Sequence, residues 1–273
     1  MKKDNKTHKS NEKEWSPRST RKSLKRYLGY FIFAAVLVGM MYSLGFKFFR
    51  LVNIYDPLFD LFGRMLPPDI AYIPSNLIKP TLETFYMSIL GTVLGVLLSI
   101  PVAWFAARNV TPIPWLTYPI GRFLITFTRS LHSLIWGMIF VAAVGFGPFP
   151  GVLALGIRGI GFVGKLLAEE IEDIDEGQVE AIRAAGGNSF QVLLFGVVPQ
   201  VIPEFVGVSV YRWDICVRAS AILGFVGAGG LGFELQQTMN LFQYQRALAI
   251  ILIVVVLVTI SESISAVLRG RVT

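Results

Sequence analysis

Residues 180–203 of the chain read EAIRAAGGNSFQVLLFGVVPQVIP, and this stretch decides the fold. The acidic residues 169–180 that lead into it carry too much charge to lie in lipid. The segments on either side, residues 152–167 and 192–210, are largely apolar, as membrane spans are. The pattern therefore predicts a short amphipathic helix with a glycine stop, placed in an aqueous loop between two membrane spans.

The predicted short helix has a smooth face of small side chains, formed by Ala181, Ala184 and Ala185. Gly186 and Gly187 follow at once and supply the sharp exit that a returning helix needs. A knob of this shape is suited to dock in a groove on a partner protein.

The composition places the chain among polytopic membrane proteins. Of its 273 residues, 53% are apolar and only 16% are charged, and the mean hydropathy is +0.59. The net charge of +7 comes from residues 1–26, which hold ten Lys/Arg and three acidic residues, because the remainder has fifteen of each sign. Residues 1–26 are predicted to be a disordered cytoplasmic tail beside the first span, and not a nucleic-acid-binding arm.

The apolar segments predict an all-α membrane protein with about six transmembrane helices. Residues 27–46 carry no charge and are followed by no small-residue cleavage site, so we interpret them as a transmembrane anchor and not a cleaved signal peptide. Residues 47–80 are predicted to be an extracytoplasmic loop with a short interfacial helix at residues 56–65. Pro199 and Pro203 are expected to divide the fifth span into more than one helical piece. The later spans are predicted at residues 84–107, 118–144, 152–167, 192–225 and 247–260.

The cysteine and histidine content argues against a metal site. Cys216 is the only cysteine, and His8 and His132 are far apart, so neither a disulfide nor a metal cluster is expected. Arg122 and Arg129 are seven residues apart, and His132 follows, so the three are predicted to share one helical face.

Two glycine motifs match nucleotide-binding sequences without their context. Residues 159–166 nearly form a phosphate-binding loop, but Leu166 cannot supply the hydroxyl that ligates magnesium, and we interpret these glycines as sites of close helix packing. The GAGGLG run at residues 227–232 has the letters of a dinucleotide fingerprint but no β-α-β frame. Within residues 224–246, predicted to face outside, it is either a flexible turn or the outer mouth of a path, where glycine N–H groups meet an anion.

Charged residues inside the apolar segments give a second set of candidates. Each charge near the middle of a membrane costs about 3 kcal/mol, so it needs a partner or water. In the structural interpretation Arg212 or Arg218 pairs with Asp214, or arginines reach an interface. In the functional interpretation they form a path for an anion, because the guanidinium fork suits phosphonate oxygens. The candidate path residues are Arg129, Arg158, Arg212, Arg218, Gly227, Gly229 and Gly230.

The spacing in the opening stretch resembles the coupling loop of ABC importer permeases. That loop reads Glu-Ala-Ala, three residues, Gly, nine residues, then Ile-x-Leu-Pro. Three positions depart from it, because Ile182 replaces the third Ala, Gly196 the Ile, and Val198 the Leu. The positions that match are Glu180, Ala181, Gly186 and Pro199.

The flanking segments are similar to the permease subunit of phosphonate transport systems. They are VAAVGFGPFPGVLALGIRGIGFVGKLLAEEIEDID, YRWDICVRASAILGFVGAGGLGF and SAVLRGRV. The resemblance runs from about residue 82 to the C-terminus and implies a type I ABC importer permease domain at residues 81–273, with the coupling loop at about residues 169–191. This family usually has Glu and Asn where Asp214 and Cys216 stand, so the local polar network must differ in detail.

The resemblance implies the partners. They are a second permease copy in a homodimer, two cytoplasmic ATP-binding subunits that hold ATP and Mg, and an extracytoplasmic phosphonate-binding protein. The chain itself would be a multi-pass cell-membrane subunit among lipid, with both termini cytoplasmic, no bound cofactor or metal, no ATPase motif and no enzymatic activity. The residues implied to couple it to the ATPase are Glu180, Ala181, Ala184, Ala185, Gly186 and Pro199.

Alternatives remain open at this point. The same architecture suits phosphite, phosphate or another small oxyanion. A stand-alone secondary transporter or channel would need a membrane-embedded acid, for which Asp214 and Glu262 are the candidates. A membrane enzyme acting on phosphorylated lipids would need a nucleophile or a metal cluster, and the sequence has no suitable constellation of His, Asp and Glu.

Overall fold

The computed structural model describes residues 20–45 and 54–270, and within these ranges every regular element is a helix. Most of the predicted tail, residues 1–19, lies outside the described residues, as do residues 46–53 of the predicted loop and the C-terminal residues 271–273.

Five of the described helices are long and apolar enough to cross a membrane, or six if one bent pair counts as a single span. This agrees with the predicted all-α polytopic fold. Short π-helical turns at Ile73–Leu77 and Leu193–Val197 lead directly into the helices that follow them. The helices are α1 Thr20–Ser43, α2 Tyr55–Met65, α3 Ile78–Ala106, α4 Thr117–Ser130, α5 Ser133–Val144, α6 Pro148–Glu172, α7 Glu176–Ala184, α8 Ser189–Val192, α9 Val198–Leu223, α10 Gly230–Asn240 and α11 Tyr244–Arg269.

Of the two N-terminal helices, α1 differs from its predicted extent and α2 agrees with its prediction. Helix α1 begins at Thr20, so residues 20–26, predicted to be disordered, are helical; Lys, Arg and Leu are good helix formers. Helix α2 confirms the short helix predicted at residues 56–65, and its Phe59 and Phe62 are exposed. Its place at a membrane interface stays a prediction.

Helices α3 and α6 approach each other so closely that no side chain fits between them. A Cβ added to Gly159 would lie 2.7 Å from the Cα of Gly95, and one added to Gly95 would lie 2.8 Å from the Cα of Gly159. One turn away, a Cβ on Gly156 would lie 2.6 Å from Leu94. Gly159, the first glycine of the motif at residues 159–166 that resembles a phosphate-binding loop, is therefore a packing position, as predicted. Small residues of this kind allow membrane helices to meet backbone to backbone.

The predicted third span is broken. Helix α4 ends at Ser130 and α5 begins at Ser133, and the two axes differ by 88°. Leu131 is extended, and the Nδ1 atom of His132 accepts a hydrogen bond from the N–H of Leu134 at 3.3 Å, so His132 starts a new helix. The expectation that His132 shares a helical face with Arg129 is therefore wrong.

The predicted fifth span is continuous where a division was expected. The π-helical turn Leu193–Val197 precedes Pro199, which sits in the first turn of α9, where no backbone N–H is needed. Pro203 lies inside α9 without ending it. Ser189–Val226 therefore forms one long candidate span.

The stretch predicted as an outer loop contains regular structure. A 3-10 turn occupies Gly224–Val226, and helix α10 occupies Gly230–Asn240. Gly227, Gly229 and Gly230, at and before the start of α10, have positive φ. Sequence reasoning missed this helix because glycines dominate its entry.

One apolar cluster joins five helices at the end of the bundle where α3 and α6 end and α9 begins. Its buried members come from α3, α4, α6, α7 and the continuous helical segment formed by α8, the π-helical turn and α9. They include Ala106, Ile125, Leu167, Val179 and Val197. This cluster fixes helix α7 to the long spans.

The glycine contact can be tested by substitution of Gly159 by Ala. The added methyl must displace the α3 backbone, and overpacking of this kind costs about 1–3 kcal/mol. We expect Gly159→Ala to lower the thermal unfolding temperature of the purified protein in detergent. Gly207→Ala in α9 is the matched control, because a Cβ there has no neighbour within 4 Å, and it should be neutral or stabilising. Equal behaviour of the two variants would contradict the packing argument.

Candidate functional site

Helix α7 is the predicted short helix, and its two ends are defined by capping. The Asp175 carboxylate accepts a hydrogen bond from the N–H of Gly177 at 2.9 Å, and the N–H of Asp175 donates to Oε1 of Gln200 at 2.9 Å. Gly186 has φ +86, the left-handed conformation that turns the chain away after the helix. The predicted helix with a glycine stop is therefore confirmed as local structure.

Two departures from the coupling-loop pattern compensate for each other. The Cδ1 atom of Ile182 lies 3.2 Å from where a Cβ on Gly196 would stand. The larger side chain at 182 thus fills the space that a side chain at 196 would need. The Nε2 atom of Gln200 also donates to the carbonyl of Gly196 at 2.6 Å. Helix α7 is held against the start of the fifth span by the Ile182 contact and by the hydrogen bond from the N–H of Asp175 to Gln200.

The predicted docking face of α7 is exposed in the described chain. Val179 on the opposite side is buried, and Ile182 is partly buried, so the helix is anchored on one side only. The role of these exposed residues in coupling to the ATPase stays a prediction. They are Glu180, Ala181, Ala184, Ala185, Gly186 and Pro199.

Glu172, at the end of α6, joins α6 to α4 and to the residues after α3 near the same end of the bundle. Its carboxylate accepts hydrogen bonds from Nη2 of Arg122 at 2.8 Å to each oxygen, and from the backbone N–H of Arg108 at 2.9 Å. Arg122 is therefore a structural residue. Sequence reasoning did not single out Glu172, because its partners are 50 and 64 residues away in the chain.

A cavity lies where the break between α4 and α5 faces the middle of α6 and α9. Its volume is about 180 Å³. Three arginines from two different spans line it, together with the first two residues of the α5 turn. The polar lining residues are His132, Ser133, Arg158, Arg212 and Arg218.

The arginines of this cavity are only partly satisfied. Arg212 is 2% exposed; its Nη2 donates to the carbonyl of Leu155 at 2.8 Å, and its Nε is buried with no hydrogen-bond partner among the described residues. The Nη1 atom of Arg158 donates to the carbonyl of Leu131 at 3.0 Å. Neither arginine has a carboxylate partner within the described ranges.

Arg218 is the one cavity arginine that pairs with a carboxylate, as the structural interpretation of these charges predicted. It forms an ion pair with Asp214, one turn earlier on α9. Asp214 is buried and also accepts a hydrogen bond from Oγ of Ser261 on α11 at 3.2 Å. One carboxylate therefore serves a cavity that holds three guanidinium groups.

The structure places the other predicted path residues outside this cavity. Arg129 is exposed on α4. The N–H of Gly227 donates to the carbonyl of Gly224 at 3.0 Å, and the N–H of Gly230 donates to Oε2 of Glu83 at 3.1 Å. The expectation that these glycines offer free donors to an anion is wrong at Gly227 and Gly230, because their donors are already used. Gly229, with φ +73, lies between α6 and Glu83 and also does not line the cavity.

Comparison with known proteins assigns the architecture. The family described as the binding-protein-dependent transport system inner membrane component matches residues 99–273. The chain belongs to this family. It is 46% identical to the phosphite transport system permease protein of Stutzerimonas stutzeri, over 87% of this chain and 86% of that protein. It is 41% identical to the phosphate-import permease protein of Mycolicibacterium smegmatis, over 80% of this chain and 41% of that protein.

A solved structure supports the same fold. An inward-facing methionine ABC transporter matches with a TM-score of 0.62 at 22% identity, over 72% of this chain and 96% of that one. The protein is therefore an ABC importer permease, a multi-pass membrane subunit with a transport role and not a catalytic one. Subunits of this family work with ATPase and binding-protein partners.

The role of the Gly186 exit can be tested by paired substitutions. Gly186→Glu forces a left-handed conformation on a residue that disfavours it, at about 1–2 kcal/mol, and we expect the exit of α7 to shift. Transport by cells should then fall to background while the amount of membrane-inserted protein is unchanged. Gly186→Asn is the control, because Asn tolerates this conformation, and it should retain most uptake. Full uptake by the Glu variant would show that the exit geometry is not needed.

Proposed function

We propose that this chain is the permease subunit of an ATP-driven importer of small phosphorus oxyanions, with phosphonate as the first candidate and phosphite or phosphate as alternatives. The arginine-lined cavity carries the proposal, because three guanidinium groups midway along the spans favour an anionic cargo. The names of the two similar proteins, one for phosphite and one for phosphate, support phosphorus as the central atom.

The continuous span Ser189–Val226 offers a direct route from the ATPase to this cavity. Helix α7 is fixed to its first turns through Ile182, Gly196 and Gln200. The same span carries two of the cavity arginines further along α9. Closure of the ATPase subunits would move α7, and the span would carry that movement to the cavity as a tilt.

The assembly follows from the same arrangement. We propose a homodimer of this chain with two cytoplasmic ATP-binding subunits, which hold ATP and Mg, and an extracytoplasmic binding protein that delivers cargo. The chain itself contributes no ATPase motif, cofactor or metal. Helix α7 faces the cytoplasm in this arrangement, and both termini lie on that side. A C-terminus on that side is supported by α11, which runs antiparallel to α9, since Ser261 pairs with Asp214 and Ser265 with Val210.

The secondary-transporter alternative is disfavoured by the surroundings of its candidate acid. Asp214 is held by Arg218 and by Ser261, so it is not a free site for a coupling ion. Glu262 is exposed on α11 and does not line the cavity.

Reconstitution tests the proposal. The chain would be purified with its ATPase subunits, placed in proteoliposomes with the binding protein, and supplied with radiolabelled methylphosphonate, phosphite or phosphate. We expect uptake of a phosphorus oxyanion that requires both ATP and the binding protein. Uptake by the chain alone, insensitive to ATP, would overturn the proposal in favour of a secondary transporter or channel. ATP-dependent uptake of none of the three anions would exclude the substrate class.

A further inference from the structure

The break between α4 and α5 places a helix N-terminus at the arginine-lined cavity. Helix α5 is 12 residues long, and its capping residue His132 and first residue Ser133 both line the cavity. The N-terminus of a helix carries partial positive charge and free N–H groups, which favour an anion. In several transporters broken membrane helices present such ends to the substrate.

Arg212 supplies an independent sign of a missing ligand. Its side chain is almost fully buried, and its Nε atom, which lies beside Gly159 of α6, has no hydrogen-bond partner among the described residues. The donors of Arg212 that remain for a ligand in the cavity are therefore those of its terminal nitrogens. A guanidinium has five N–H donors, and Arg212 and Arg158 each spend one of them on a backbone carbonyl. Buried donors normally find an acceptor, so these two side chains have unused capacity for the oxygens of a bound group.

The charges of the cavity indicate a dianion. Arg158, Arg212 and Arg218 bring three positive charges, and Asp214 offsets one of them. The Nδ1 atom of His132 accepts a hydrogen bond from the N–H of Leu134, which leaves Nε2 as the donor of the ring. Two positive charges thus remain uncompensated at the middle of the spans.

The rest of the cavity wall cannot bind a hydroxyl well. Ile215, Ala219 and Ile222 form an apolar side, and Ser133 is the single lining side chain that can accept a hydrogen bond without being a cation or an imidazole. A P–OH group facing this wall would lose its hydrogen bonds to water, whereas a P–H or P–CH₃ group would not.

We infer that this cavity is a binding site of the permease itself for a tetrahedral phosphorus dianion, with three oxygens toward the arginines and the α5 N-terminus and an apolar fourth substituent toward Ile215 and Ile222. The inference rests on the proposed function and adds to it a second selection step inside the membrane, separate from recognition by the binding protein. The site favours phosphonate and phosphite over phosphate and sulfate.

Equilibrium binding measures the site without the binding protein. The purified permease–ATPase complex would be titrated by calorimetry with methylphosphonate, phosphite, phosphate and sulfate. We expect methylphosphonate and phosphite to bind at least about tenfold more tightly than the other two, because phosphate turns a hydroxyl and sulfate a fourth charged oxygen toward the apolar wall. The preference over phosphate should be at most about a hundredfold, since an apolar wall discriminates only moderately against an added hydroxyl.

Two variants with a matched control locate the site. Arg158→Gln should weaken methylphosphonate binding about tenfold or more, because it removes a charged donor. His132→Asn keeps the helix cap, since Asn is a favourable capping residue, but removes the Nε2 donor, and it should also weaken binding. Arg64→Gln is the control, because Arg64 is exposed, pairs with Asp60 and does not line the cavity, and it should bind as the unmodified protein does.

The outcomes separate this inference from the proposed function. If the complex imports phosphonate with its binding protein but binds no anion without it, or if Arg158→Gln binds normally, the inferred site is wrong and the importer assignment stands. Equal binding of all four anions would overturn the orientation toward the apolar wall. If the complete system imports none of the phosphorus anions, the proposed function itself fails.

Discussion

The absence of a side chain at Gly159 is the constraint on which the rest of the structure depends. It lets the backbones of α3 and α6 touch at Gly95, and the Nε atom of Arg212 lies beside the same residue, 3.6 Å from the position of a Cβ on Gly159. Arg158 is the next residue in the chain. A backbone-to-backbone contact between two spans and an arginine of the cationic cavity therefore lie on the same turn of α6.

The charged cavity lowers the stability of the fold, but the same unpaired charge can bind a cargo. Unpaired charge in the middle of a membrane is costly, and a protein selected for stability alone would give Arg158 and Arg212 carboxylate partners or replace them. The described chain instead pairs Arg218 alone with Asp214. Functional sites often keep such locally unfavourable arrangements, because a cargo that supplies the missing charge is bound more tightly for it.

Sequence patterns predicted the elements of this protein better than their junctions. The apolar runs gave the spans, and the residues around Gly186 gave helix α7 and its end, because both are local properties. The break at His132 was missed because the polar stretch at residues 128–133 is short and has apolar runs on both sides, which together have the length of one span. The cap at His132 and the carbonyl of Leu131, which accepts a hydrogen bond from Arg158, show where the helix is interrupted. Arg158, Arg212 and Arg218 were identified from their charge, but the sequence could not show that they meet in one cavity and that Arg129 does not line it, because this depends on the bend.

The contact between Ile182 and Gly196 has an evolutionary consequence. Relative to the family pattern, one position has gained a large side chain and the other has lost one, and the two occupy the same space. A return to Ala at 182 alone would leave a void, and Ile at 196 alone would collide with Ile182. The two positions are therefore epistatic: a lineage can move between the two solutions only by passing through a poorly packed intermediate or by changing both residues together. A residue transferred alone from the coupling loop of another permease to position 182 or 196 would therefore pack poorly against the residue at the other position.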